Sequence, residues 1–291
     1  MNDAYKKKEK SKNMFLMQVK HDFIMGTIYS WKKYIIVFLI FLFFIINFQS
    51  IISSEVKYNS LKNLPNFSDY VIEIYKGRTS FNFDNKLETL KIPASWILIN
   101  IFLTFIIGYY PLLDLKTYGM QILLRSKKRY QWFLSKCIWV IGNVIIYYAI
   151  GYVVMILFSV FNGGISLTPT NEINMNISQV NTTSFTSQTF FCICILLPII
   201  ISIALSLFQM TVALFTTSIL SNIVIISILV ISTFYCNGMF IGNYLMILRN
   251  SKIDLNGVNT INGLIIGTII IIISIIIGIL KFKKIDILDK N

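Results

Sequence analysis

The chain has 291 residues, 55% of them hydrophobic and only 13% charged, with a mean hydropathy of +0.69. Soluble domains carry roughly a quarter charged residues, so a water-soluble enzyme or binding module is excluded and an integral membrane protein is expected. The formal charge of +13 would suit nucleic acid, but residues 1–33, 114–136 and 281–291 hold 18 of the 26 Lys and Arg against six acids.

That clustering is a topology signal, because Lys and Arg near span ends resist translocation. The three segments are expected on the cytoplasmic side, beside membrane lipids and with no nucleic-acid partner. Residues 1–13 read as a basic, disordered tail, and Met14 to Lys33 as a helix that either lies in the interface, with Phe15, Leu16, Val19 and Phe23 on one arc, or is buried on other spans, since Met17, Ile24 and Ile28 fall on another side. Trp31, Lys32 and Lys33 anchor a first span over 34–52.

Residues 53–95 form the first external loop. Within it, Tyr70–Tyr75 and Thr79–Asp84 alternate at period two around Lys76-Gly77-Arg78, which predicts a small β-hairpin. The second span is 96–113, with Pro111 near its inner end, and the basic loop 114–136 follows. A third span covers 138–161 and a polar external loop 162–188. The apolar run 190–240 is too long for one crossing of roughly 30 Å. It divides into spans 190–215 and 219–240, with a turn at Thr216–Asn222 and a kink at Pro198. A third external segment, 241–262, has an apolar Tyr244–Leu248 core that dips toward the membrane, and the last span is 264–280. The expected fold is all-α, with six transmembrane helices and both termini cytoplasmic.

No Asp, Glu, Lys, Arg or His lies centrally in these spans. Ion-coupled transport needs such groups, and an intramembrane metalloprotease needs a His-Glu cluster. His21, the only histidine, has no second ligand in view, and Asp114 stands alone as an acid at a span end. The four cysteines lie in or beside apolar runs without zinc-site spacing. No catalytic residue, metal or cofactor is therefore expected, and the chain is not expected to be an enzyme. It also lacks a Gly-x-x-x-x-Gly-Lys-Ser/Thr phosphate loop, so any ATP would be bound by another polypeptide.

The architecture resembles the membrane subunits of ABC transporters of the type-2 (ABC-2-like) permease class. The loop between the second and third spans carries the likeness: Asp114, Thr117, Tyr118, Gly119 and Gln121, then Arg125, Lys127, Lys128, Arg129 and Lys136. In the family a Gly-Thr order is common, whereas here Thr117-Tyr118-Gly119 is reversed and separated. The resemblance implies that this loop docks on a nucleotide-binding ATPase subunit in trans. It also implies a homodimer, or a heterodimer with a second permease, exporting an amphipathic or hydrophobic cargo such as a peptide, lipid or drug-like compound from a bacterial cell. Read without that likeness, the bases are topology determinants. The rival function is a non-transporting sensor or immunity protein that binds a peptide through its external loops.

Overall fold

The computed structural model describes residues 2–57, 63–80, 92–125 and 129–284, with side chains described from Phe15 onward except at 118, 122, 124, 125 and 282–284. Helix α1 runs from Asn2 to Lys57, α2 from Phe67 to Tyr75, α3 from Ala94 to Ile107 and α4 from Tyr110 to Lys116. Helix α5 covers Tyr118–Arg125, and α6 covers Arg129–Val160. Helix α7 is Ser187–Phe215, α8 is Ser218–Phe234 and α9 is Thr260–Lys284. No strand occurs among the described residues, only an isolated bridge between Asn250 and Val258.

Five helical stretches are long and apolar enough to cross a membrane: Phe15–Lys57, Ala94–Lys116, Arg129–Val160, Ser187–Phe215 and Thr260–Lys281. The expected fifth span, 219–240, is a helix of only 17 residues, α8. That is about 25 Å at 1.5 Å per residue, against roughly 30 Å of hydrocarbon.

Helices α1 and α6 run parallel, with contacts at a nearly constant offset. Asp22 meets Lys136, Gly26 meets Trp139, Tyr34 bonds Asn143, Phe41 meets Gly151, and Gln49 bonds Asn162. A side chain at Gly26 would collide with the Trp139 indole, and one at Gly151 with the Phe41 ring. Large rings thus seat on bare backbone, which brings the two helices close. Helices α7 and α9 are also parallel, through Leu197 and Gly263, Ile200 and Gly267, and a Thr211 hydroxyl bonded to the Ser274 carbonyl at 3.0 Å. Phe133 packs under Gly278 one turn from Lys136. The beginning of α1 and the end of α9 therefore lie at one end of the bundle, here called proximal.

The chain breaks where its sequence allows. Gly108 and Tyr109 separate α3 from α4, and Pro111 sits in the first turn of α4, where a missing N–H costs nothing. Helix α7 passes through a π-helical stretch, Phe191–Leu196, immediately before Pro198. Such bulges and prolines are the usual causes of kinks.

The distal end corrects the expected hairpin. Tyr70–Tyr75 is not a strand but most of α2, started by a reciprocal capping box between Asn66 and Asp69. All of α2 except Glu73 is buried, so the alternation of Glu73 with apolar neighbours carried no information about period. Residues 81–84 of the second expected strand lie outside the described residues. Helix α2 descends along α6, from Tyr70 against Phe158 to Tyr75 stacked on Tyr148 at 5.7 Å. Residues Ile241–Asn250 are buried throughout, and two 3₁₀ turns take them inward beside Lys76, whose carbonyl accepts from Leu248 N–H at 3.0 Å. These two inserted segments fill the space above the short helices α3 and α8.

Candidate functional site

The sequence pointed to residues 114–136, and the structure gives that stretch a buried charged centre. Lys136 is fully buried, with Nζ 2.7 Å from Asp114 Oδ2 and 2.5 Å from Asp22 Oδ1. Asp114 also accepts from Trp132 Nε1 at 3.1 Å. Asp22 accepts from the Ser135 hydroxyl and, at 3.3 Å, from the Tyr110 hydroxyl. The ammonium lies 4.5 Å from the Tyr110 ring centroid and 5.1 Å from that of Trp132, within the range of cation–π attraction. Two carboxylates thus share one ammonium, and the remaining negative charge is held by three hydrogen-bond donors.

Three elements meet there. Asp22 comes from α1, Tyr110 and Asp114 from α4, and Trp132, Ser135 and Lys136 from the first turns of α6. Helix α6 begins at Arg129, earlier than the expected span start at 138, because Gln131–Cys137 is buried against these neighbours apart from partly buried Leu134. The loop is accordingly two short helices, α4 and α5, clamped at the foot of α1 and α6.

His21, Asp22 and Asp114 offer ligand atoms within 4.8 Å of one another, a donor set that suits a divalent cation. Lys136 Nζ occupies the position between the two carboxylates, so the cation of this cluster is the chain's own ammonium. Asp114 does not stand alone as the sequence suggested, because Asp22 is its counterpart across Lys136.

The other sequence-selected residues divide. A Cβ on Gly119 would lie 2.6 Å from Asp114 Oδ2 and 2.8 Å from Trp132 Nε1, so this position must be glycine for the Asp114–Trp132 bond to form. Thr117 caps α4 by donating its hydroxyl to the Leu113 carbonyl at 3.0 Å. Gln121 is exposed and Arg129 is half-buried. The side chains of Tyr118 and Arg125, and all of Lys127 and Lys128, lie outside what the structure describes. The residues that sequence reading missed are Asp22, Tyr110, Trp132 and Ser135. A signal for the first was present: Gln18, Asp22, Gly26 and Ser30 recur every four residues and form the buried face of α1.

Charged side chains are also buried at the distal end, Arg249 among them. Arg249 is inaccessible to solvent, and burial pulls its guanidinium below the usual arginine range. Nε donates to the Arg78 carbonyl at 3.0 Å, Nη2 to the carbonyls of Thr233 at 2.7 Å and Thr79 at 3.3 Å. Nη1 reaches the carbonyls of Ser232 and Tyr235 and the Asn243 side chain. It caps the end of α8, where a cation also suits the helix dipole, and ties that end to residues 78–79.

Fold and site together define an all-helical protein of membrane-spanning character with an ion-paired foot. The chain belongs to the family described as protein of unknown function (DUF2705), which its residues 56–288 match. Asp114 and Lys136 fall inside that match, and Asp22 lies before it. No curated protein and no solved structure matches the chain.

Proposed function

We propose that this chain is the membrane-spanning permease subunit of an ATP-driven exporter of the ABC-2-like class, multi-pass in a bacterial cell membrane. In this reading α8 completes a sixth crossing with the help of the segment that follows it, and both termini are cytoplasmic. A separate nucleotide-binding subunit binds ATP, and a second permease, identical or related, completes the pore. The cargo is amphipathic or hydrophobic, and the chain itself performs no covalent chemistry.

The observation that supports this reading best is the mounting of α4 and α5. Helix α4 is fixed through Asp114 and Lys136 to both α6 and α1, and α5 follows it directly. A push delivered to such a segment by a soluble partner reaches two spans at once. The clustering of Lys and Arg at this end supports a cytoplasmic orientation for it.

The test is affinity purification of the tagged chain in mild detergent from its native host. An ATPase with a phosphate-binding loop is expected to copurify. Charge reversal at Arg125, Lys128 and Arg129 is expected to deplete that ATPase while the variant still inserts in the membrane. Undiminished copurification and export by the triple variant would overturn the assignment of the loop. A partner without any nucleotide-binding domain would instead favour the sensor or immunity reading.

A further inference from the structure

Lysines and aromatic rings gather on the exposed side of α1 where it passes the break between α3 and α4. Tyr29, Lys32 and Lys33 follow at i, i+3 and i+4, so they share one face of α1. Tyr109, in the break itself, stacks its ring on that of Tyr29 at 5.6 Å and 11°. Lys33 Nζ donates to the Phe105 carbonyl at 3.0 Å, at the end of α3, where a helix presents carbonyls without amide partners. The same ammonium lies 5.7 Å from the Tyr29 ring centroid and 5.9 Å from that of Tyr109. Lys32 Nζ lies 5.8 Å from the Trp31 ring centroid.

These cations keep donors to spare. An ammonium has three N–H groups, and the Phe105 bond uses one of those on Lys33. The ion pairs of the described residues involve neither Lys32 nor Lys33. Lys32 is exposed, and Tyr29 and Tyr109 are 43% and 46% exposed. Two uncompensated cations and two phenols are therefore open to the surroundings together.

The position of the cluster indicates what meets it. The Ser218 hydroxyl donates to the Gly108 carbonyl at 2.5 Å. That bond sets the break level with the turn from α7 to α8, where Thr216 and Thr217 are exposed. Exposed Tyr and Trp beside lysine at such a level is the composition of a membrane–water interface. From there α1 continues distally with Ile35, Ile36 and Leu39 exposed. An occupant that suits both parts joins a negative, hydrogen-bond-accepting head to apolar chains.

We propose that this face holds an anionic membrane lipid. The phosphodiester meets Lys32 and Lys33 and accepts from the Tyr29 and Tyr109 hydroxyls, and the acyl chains lie along Ile35, Ile36 and Leu39. The inference rests on this surface and on the membrane-spanning character of α1, and it holds whether or not an ATPase drives the protein.

The experiment is native mass spectrometry of the full chain from detergent micelles doped with phosphatidylglycerol or phosphatidylcholine. The wild-type chain should retain phosphatidylglycerol about tenfold more strongly, and Lys32→Gln should lower that preference about fivefold, the scale of one lysine at an anionic surface. The double variant Lys32→Gln/Lys33→Gln should abolish it. Tyr109→Phe, which keeps the ring against Tyr29, should weaken retention of both lipids. Lys252→Gln removes an equal charge from an exposed position at the distal end and should leave the preference unchanged. Equal retention of the two lipids by the wild-type chain overturns the proposal. So does an equal loss of preference in Lys252→Gln, which would make it an effect of net charge. Displacement of the lipid by millimolar inorganic phosphate would reassign the face to a soluble anion. Disulfide-linked dimers of Lys32→Cys in a cysteine-free background, with no lipid retained by the wild-type chain, would give the face to a second copy.

Discussion

Lys136 serves two carboxylates, and that stoichiometry makes the three positions unequal. Removing the ammonium leaves Asp22 and Asp114 facing each other with almost no access to water, a change that typically costs about 3–5 kcal/mol. Removing one carboxylate leaves a matched pair. Lys136→Met is therefore expected to lower the melting temperature in detergent far more than Asp22→Asn. Equal losses would mean that shape, not charge, governs the cluster. Asp69 provides a pH test outside the spanning helices. Burial raises its carboxyl above the usual range against hydrogen bonds from Asn66, Thr170 and Asn174. The folded state then holds this proton more tightly than the unfolded state. Its contribution to stability is greatest in acid and is lost as pH rises through the folded pKa. Asp69→Asn should flatten that acid-side slope in a melting series, and an unchanged slope would assign it to another group.

Among the elements, α2 and the first half of α1 show what a single sequence reveals and what it hides. In α2 the run Tyr-Val-Ile-Glu-Ile-Tyr looks like a strand because its one polar residue, Glu73, alternates with apolar neighbours over so short a window. The readable signal was Asn66 three residues before Asp69, a helix start. In the first half of α1 the expectation rested on an apolar arc, Phe15, Leu16, Val19 and Phe23. The structure buries Gln18, Asp22, Gly26 and Ser30, while Met17 is 71% and Ile28 62% exposed. Near a membrane, apolar side chains lose nothing by facing outward, so small and polar residues with partners take the packed face. Asn66→Ala should cost about 1–2 kcal/mol as a lost N-cap. It also removes two bonds from Asn66 Nδ2 to Thr168 and Thr170. Hydrogen exchange should then quicken in residues 67–75 before the rest of the bundle responds, and uniform quickening would deny α2 its independence.

For the whole molecule, composition pointed to a membrane protein, and the long apolar runs located the five described helices that are long and apolar enough to cross a membrane. The ion-paired foot was half legible. Asp114, Gly119 and Lys136 lie in one basic stretch, whereas Asp22 is more than ninety residues from Asp114 and only folding brings them together. The parallel pairings of α1 with α6 and α7 with α9 set a topology that labelling can check. In a cysteine-free background, single cysteines at Leu167 and Leu255 should react with an impermeant maleimide from one side of the membrane. One at Ile219 should react only from the other. These three side chains are 39%, 99% and 72% exposed. Labelling of 219 from the same side as 255 would remove α8 as a crossing.

The unbroken course of α1 has a mechanical meaning. From Asp22 to Gln49 it covers about 40 Å at 1.5 Å per residue, with no proline and with Gly26 packed tightly against Trp139. It is a stiff rod, gripped at its foot by Lys136 and at its far end by Asn162 and Tyr70. Compliance is concentrated instead in α7, where the π-helical turn before Pro198 forms a joint. A load applied at the foot would therefore pass undiminished along α1 to the distal cap, and the bundle would yield at α7.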